Sequence, residues 1–315
     1  MSQKKRILIS FAALICLIAV GVGASQLIES PIPDATFTVA DTLPDGEGRS
    51  VRVILLGGQS NASGCSRDDY LAKNVSAEKY AQYESGFDNV YINYFATGTN
   101  VSSAFVKCGA KQGEAGGYFG PELGMADKLN ELYPDETFFI IKCAWGGSNL
   151  FNQWLSPSGE GRTGELYRQF VNCVNTSIEY LVSKNYDVKI EAMCWMQGES
   201  DSFSVKNATD YAKNLENLIA DIRAEFSEYA SDDGIAFVDA YIADNPALWV
   251  HCDRVNASKL AVSEKSPINL LVDTVSLGLT CANEPEDNPD VAHYDALSEL
   301  KLGHMFIVEA SKLFD

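Results

Sequence analysis

The sequence predicts an α/β protein: a three-layer α/β/α sandwich around a central parallel sheet. Two observations carry this. Apolar runs of strand length fall at residues 51–56, 90–95, 137–143, 190–196 and 235–238, with a weaker one at 269–272. They alternate with helix-like segments at 120–132, 164–184 and 208–229, and a last helix is expected over 296–313. Such alternation indicates βαβ units, with the sheet covered on both faces. The second observation is that polar, glycine-bearing turns follow three of the strands, and in parallel sheets ligands bind beyond the carboxyl ends of the strands.

Taken in order, the chain begins with Lys4, Lys5 and Arg6 ahead of an apolar run over residues 7–24 that closes on Gly21, Gly23, Ala24 and Ser25. Residues 1–25 are therefore expected to be a signal peptide, or an uncleaved N-terminal anchor, which is the one way this chain would meet a membrane. Either places the globular part outside the cytosol. Residues 26–48 carry no clear period and are expected to be a tether or edge segment. The domain proper is expected over 49–315. Its first strand ends in Gly57-Gly58 and runs straight into Gln59-Ser60-Asn61. In the helix before the fifth strand, Leu215, Leu218, Ile219, Ile222 and Phe226 recur at helical spacing, a core stripe.

The formal charge is −19, and losing the three positive charges of Lys4, Lys5 and Arg6 takes it to −22. That argues against nucleic acid and favours a neutral partner. Asn-X-Ser/Thr sequons at Asn61, Asn74, Asn100, Asn175, Asn207 and Asn256 agree with export and a glycosylated surface. A glycan on Asn61 would block the turn beside Ser60, so that sequon is expected to be unoccupied. Seven cysteines follow Cys16. Cys143 and Cys194 lie in strand-like runs as core thiols, whereas Cys65 with Cys108 and Cys252 with Cys281 are candidate loop disulfides. No His/Cys cluster has zinc-like spacing, so no metal is expected.

Serine hydrolysis needs a nucleophile, a base, an orienting carboxylate and oxyanion donors. Of the three histidines, His293 lies three residues after Asp290, a spacing that lets the carboxylate hold the imidazole tautomer. His304 falls in the pattern of the last helix, and His251 adjoins Cys252; both read as structural. Glu199 and Asp201 admit two readings, a carboxylate pair for glycoside hydrolysis or a brace for their own loop. Trp145 and Trp154 could line a sugar-binding wall, or pack in the core.

Ser60 lacks the Gly-X-Ser-X-Gly elbow of ordinary α/β-hydrolases. Instead GQSN (58–61), FGPELGMA (119–126), the Gly146-Gly147-Ser148 turn with Trp154, WMQGESD (195–201) and the late Asp-X-X-His occur in one order. Together they resemble the SGNH-type esterases of carbohydrate esterase family 6, the acetylxylan esterase and sialate O-acetylesterase group. The resemblance covers about residues 49–314 and implies a flavodoxin-like SGNH hydrolase fold without a cofactor. It implies Ser60 as nucleophile, His293 as base and Asp290 as its orienting carboxylate. The oxyanion donors would be the Ser60 N–H, Gly146 or Gly147, and the Gln197 side chain. Gln59, Asn61, Glu199 and Trp154 would brace loops or line the substrate. The implied activity is O-deacetylation of a polysaccharide or glycan. An inactive glycan-binding protein and a general lipase-like esterase are the alternatives.

Overall fold

A computed structural model describes residues 32, 33 and 35–314, and the apolar N-terminal segment lies outside the described residues. Among the described residues no helix is long and apolar enough to cross a membrane. Residues 35–48 form no regular element but are pinned: the Thr42 and Leu43 N–H groups donate to the Tyr180 hydroxyl, and Asn185 donates to Asp45.

The elements that follow are β1 (Ser50–Gly58), α1 (Ser60–Ser63), β2 (Ser66–Arg67), α2 (Asp68–Asn74), α3 (Ala77–Ser85) and β3 (Val90–Ala96). Next come β4 (Asn100–Val101), β5 (Val106–Lys107), β6 (Tyr118–Phe119), α4 (Pro121–Leu132), β7 (Phe138–Ala144) and α5 (Glu165–Ser183). The rest are β8 (Asp187–Met196), α6 (Val205–Glu225), β9 (Ala236–Ala240), α7 (Cys252–Ser263), β10 (Asn269–Val272) and α8 (Ala296–Ala310).

The main sheet runs β10-β9-β8-β1-β7-β3, all parallel, with β4 and β5 antiparallel at the β3 edge. In a flavodoxin-like sheet the second strand lies beside the first. Here β7 takes that place and β3 is moved one position outward, a departure in strand order within the expected three layers. β1 is thus central, and Val53 to Leu56 are fully buried, as a parallel strand covered on both faces requires.

Successive residues of β7 show the two layers. Cys143 meets Cys173 of α5, while Lys142 turns the other way and binds Glu122 of α4 at 2.7 Å. By the same alternation, Trp195 of β8 and Asp239 of β9 face α6 and α7, through Tyr211 and Lys259 respectively. The opposite layer is α4 packed on α8. Their backbones nearly touch: a Cβ on Gly303 would lie 2.0 Å from Pro121 O, and one on Gly124 would lie 2.1 Å from Leu300 O. That contact seats α8, and with it the segment carrying Asp290 and His293.

The expected core stripe of α6 is buried throughout. The disulfide expectations are not met, since all seven described cysteines are free thiols. Cys108 is buried with its Sγ toward Glu122 O, and Cys252 faces Asp244, so neither points at its expected partner.

Candidate active site

The question at the end of β1 is why a buried strand stops on two glycines and a serine. Gly58 has φ +137°, and a Cβ there would sit 2.0 Å from Met196 O. Only glycine lets the end of β1 press against the end of β8, where the Gln59 N–H bonds Met196 O at 2.9 Å. The chain then turns outward, and Ser60 opens the single turn of α1. Its flanks Gln59 and Asn61 are each 3% exposed, whereas Ser60 itself is half-buried. The Ser60 Oγ makes no hydrogen bond with a described residue.

His293 Nδ1 lies 2.7 Å from Asp290 Oδ2, and the Ala292 N–H donates to Asp290 Oδ1 at 3.0 Å. This carboxylate fixes the tautomer, with the proton on Nδ1 and a lone pair on Nε2. Burial opposes ionisation of both groups. Their mutual bond and attraction outweigh it, holding Asp290 below the usual carboxylate range. His293 is likewise raised above an ordinary histidine, with Glu114 and Glu199 adding to the effect of Asp290.

One side chain joins the two halves. Asn61, next to Ser60, accepts from the Tyr294 N–H at 3.2 Å, next to His293. Its Nδ2 donates to Glu199 Oε1 at 2.9 Å. A 2.6 Å bond from Ser66 Oγ to Tyr294 O adds a second tie. With its amide spent and buried, Asn61 leaves no room for a glycan.

The donors divide unevenly. The N–H groups of Ser60 and Gly147 have no acceptor among the described residues, and Gly147 is exposed at φ +68°. Of the two candidate glycines, Gly146 has its N–H taken by Thr97 Oγ1 at 3.0 Å. Gln197 departs from expectation. It is fully buried, and its amide nitrogen faces Asp201 Oδ2 (2.7 Å), Ser148 O (3.1 Å) and Gln59 Oε1 (3.2 Å). Two hydrogens facing three internal acceptors leave nothing for a substrate. The Tyr211 hydroxyl, 2.9 Å from Gln197 O and 3.0 Å from its Oε1, sets the amide's orientation.

Glu199 and Asp201 are 1% and 0% exposed, so neither can reach a glycosidic bond in a cleft. Asp201 accepts from the Leu150 and Phe151 N–H groups and from Gln197, tying the turn after β7 to the turn after β8. Burial pushes its pKa up to about 6 against those donors. Burial also raises Glu199. Gln59 belongs to the same brace, since its Oε1 also accepts from the Gly198 and Ser200 N–H groups. Trp154 does not line a substrate site. It is 1% exposed, set edge-on to Trp195 and Phe170, and its Nε1 donates to Ser148 Oγ. Trp145 is half-buried against Phe95. His304 bonds Asp127 at 2.9 Å between α8 and α4, and His251 precedes α7, its N–H on Ser202 O.

Two residues at this site were not legible in the sequence. Thr97, at φ +49°, donates to Glu114 Oε1 at 2.7 Å while accepting from Gly146. Glu114 in turn fills the space a Cβ on Gly146 would need, 2.5 Å from that position. Thr97 directly follows the parallel strand β3, but its turn carries no glycine pair or motif that singles it out, and Glu114 lies in the excursion between β5 and β6, where no parallel strand marks the turn.

Three solved structures share the fold at low identity. A protein of Arabidopsis thaliana superposes with TM-score 0.61 at 17% identity, covering 84% of this chain and 100% of that one. NanS gives 0.59 at 16%, covering 84% and 96%. XAC1771, a carbohydrate acetylesterase from Xanthomonas citri, gives 0.54 at 16%, covering 83% and 56%. A probable carbohydrate esterase of Arabidopsis thaliana is 27% identical over 110 residues, a stretch spanning 34% of this chain and 37% of that relative. The three likenesses show the fold, a central parallel sheet with helices on both faces. Residues 50–312 match the carbohydrate esterases described as sialic acid-specific acetylesterase, and the chain belongs to that family.

Proposed function

We propose that this chain is an exported serine esterase that removes O-acetyl groups from a carbohydrate through an acetyl-enzyme. The observation that carries the reading is the Asn61 bridge, which holds the Ser60 turn against the His293–Asp290 segment. Ser60 Oγ attacks the acetyl carbonyl and His293 Nε2 takes its proton, while Asp290 steadies the imidazolium. The carbonyl oxygen gains negative charge and is met by the Ser60 and Gly147 N–H groups. His293 then protonates the departing sugar oxygen. Water, activated by the same nitrogen, releases acetate and restores Ser60. The direct test is acetate release from acetylated xylan, an acetyl ester of sialic acid and a short-chain lipid ester, side by side. Release from the lipid ester alone would overturn the carbohydrate reading.

The pH profile follows from the raised His293. Neutral imidazole is the active form, so kcat/KM rises with pH through a limb above the ordinary histidine value of about 6.5. Asp290→Asn removes the main charge favouring the imidazolium. Its expected result is lower activity with the limb moved to lower pH, measured by initial rates across pH 4–9 (about the range a histidine limb needs). A limb that stays in place would remove the Asp290 assignment.

Gln197→Ala tests the corrected role of that side chain. Here it ties three internal acceptors, so its loss is expected to cost about 2 kcal/mol of stability together with activity. A fall in kcat of about 10²–10³ at unchanged Tm would instead restore it as an oxyanion donor. Thermal melts and steady-state kinetics on one preparation separate the two.

A further inference from the structure

Glu114 is a half-buried carboxylate beside the Gly146 turn that also acts on His293. Its Oε1 accepts from Thr97, no described N–H or other O–H donates to its Oε2, and the Cys65 thiol, a weak donor, lies against the carboxylate. The residue is half-buried, not sealed in as Glu199 and Asp201 are. Three contacts fix its position. Its N–H donates to Gly64 O just past α1, Thr99 Oγ1 donates to its carbonyl, and Thr97 links its carboxylate to the Gly146 N–H. Because the Thr97 proton goes to Glu114, the 2.9 Å contact between Ser63 and Thr97 must have Ser63 as donor. The carboxylate is therefore held between the helix of the nucleophile and the oxyanion turn. Gly146 is a glycine in the space that Glu114 Oε1 occupies. Lys142 secures the same excursion from below, donating to Gln112 O while paired with Glu122.

We infer that Glu114 is the specificity-determining residue of this esterase, its Oε2 accepting from a hydroxyl of a neutral sugar and its charge turning away sugars that carry a carboxylate. This rests on the esterase reading above. A hydroxyl beside the acetylated position supplies a stronger donor than the neighbouring thiol, whereas a substrate carboxylate at that place meets a like charge in a partly desolvated wall. The surroundings reinforce the selection, because the strongest charges acting on His293 are all carboxylates: Asp290, Glu114 and Glu199. The net charge of −19 adds the same sign at long range. The chain would thus share its family's chemistry while discriminating against an acetylated sialic acid.

The experiment compares kcat/KM on an acetylated methyl xyloside and on an O-acetylated N-acetylneuraminic acid, for the full chain and for Glu114→Gln. The glutamine keeps an oxygen for Thr97. The wild type is expected to favour the neutral ester by about tenfold or more. Glu114→Gln is expected to raise KM for the xyloside and to improve the sialate ester, collapsing that preference by about tenfold. Raising salt with the wild type alone should narrow the gap by improving the sialate ester, an arm that needs no variant. A wild type that prefers the sialate ester, or a preference unmoved by both Glu114→Gln and salt, overturns the inference and leaves the esterase standing. Failure of the wild type to hydrolyse any acetyl ester, 4-nitrophenyl acetate included, overturns both.

Discussion

Ser60→Ala is expected to lower kcat for acetyl ester hydrolysis by about four to six orders of magnitude, with Tm unchanged. The two halves of this expectation have separate grounds. The hydroxyl is the attacking atom, and no other described group at the strand ends can replace it. It also makes no hydrogen bond with a described residue, so alanine removes nothing that holds the turn together. His293→Ala should be comparably damaging. The double variant should be no worse than either alone, because nucleophile and base act as one unit. Stopped assays of acetate release together with melting curves check all three proteins. Activity surviving in a folded Ser60→Ala protein would remove the mechanism.

Gly58→Ala is expected to have the largest effect on the fold. Its Cβ would lie 2.0 Å from Met196 O and 2.9 Å from the Ala62 Cβ, and its φ of +137° is closed to alanine. Neither neighbour can yield, because one is the backbone of β8 and the other the helix carrying Ser60. A loss of about 4 kcal/mol or more follows, seen as a drop in Tm of about 10 °C or as insoluble protein. Gly147→Ala is the contrast. No atom lies within 4 Å of the added carbon, and only the left-handed backbone is strained, at about 1–2 kcal/mol. Equal melting losses for the two variants would show that crowding at the end of β1 is not what selects glycine.

The parallel strands were legible because each is a continuous apolar run, and the expected limits missed mainly their ends. β1 and β8 extend beyond the apolar residues, to Ser50 and Asp187, because ladder hydrogen bonds and not hydrophobicity set where a strand stops. α3 and α7 were not legible. α3 buries only Tyr83, and one of the few buried positions of α7 is Lys259, a charge whose partner Asp239 lies 20 residues away. Neither helix shows a stripe. At the site, Ser60, Gln197 and His293 stand out because they follow strand ends or precede a helix. The choice among donors does not, since it is Thr97 Oγ1 that takes the Gly146 N–H and leaves that of Gly147. That is a three-dimensional fact about the turn after the neighbouring strand, β3. For the same reason the sequence offered Gln197 as a free amide, when its acceptors come from residues 59, 148 and 201.

The Asn61 bridge spans 233 residues of chain, from the first strand to the last loop. During synthesis at roughly 5–20 residues per second, Asn61 leaves the ribosome some tens of seconds before Tyr294 exists. For that interval its amide has no Tyr294 to meet, and Asn61-Ala62-Ser63 is an open acceptor for an oligosaccharide. In a glycosylating compartment the chain is therefore in a race. Modification of Asn61 before the last loop arrives would deprive Glu199 and Tyr294 of their shared partner, yielding an inactive glycoform. The fraction of active molecules would then depend on the speed of translation as well as on the sequence.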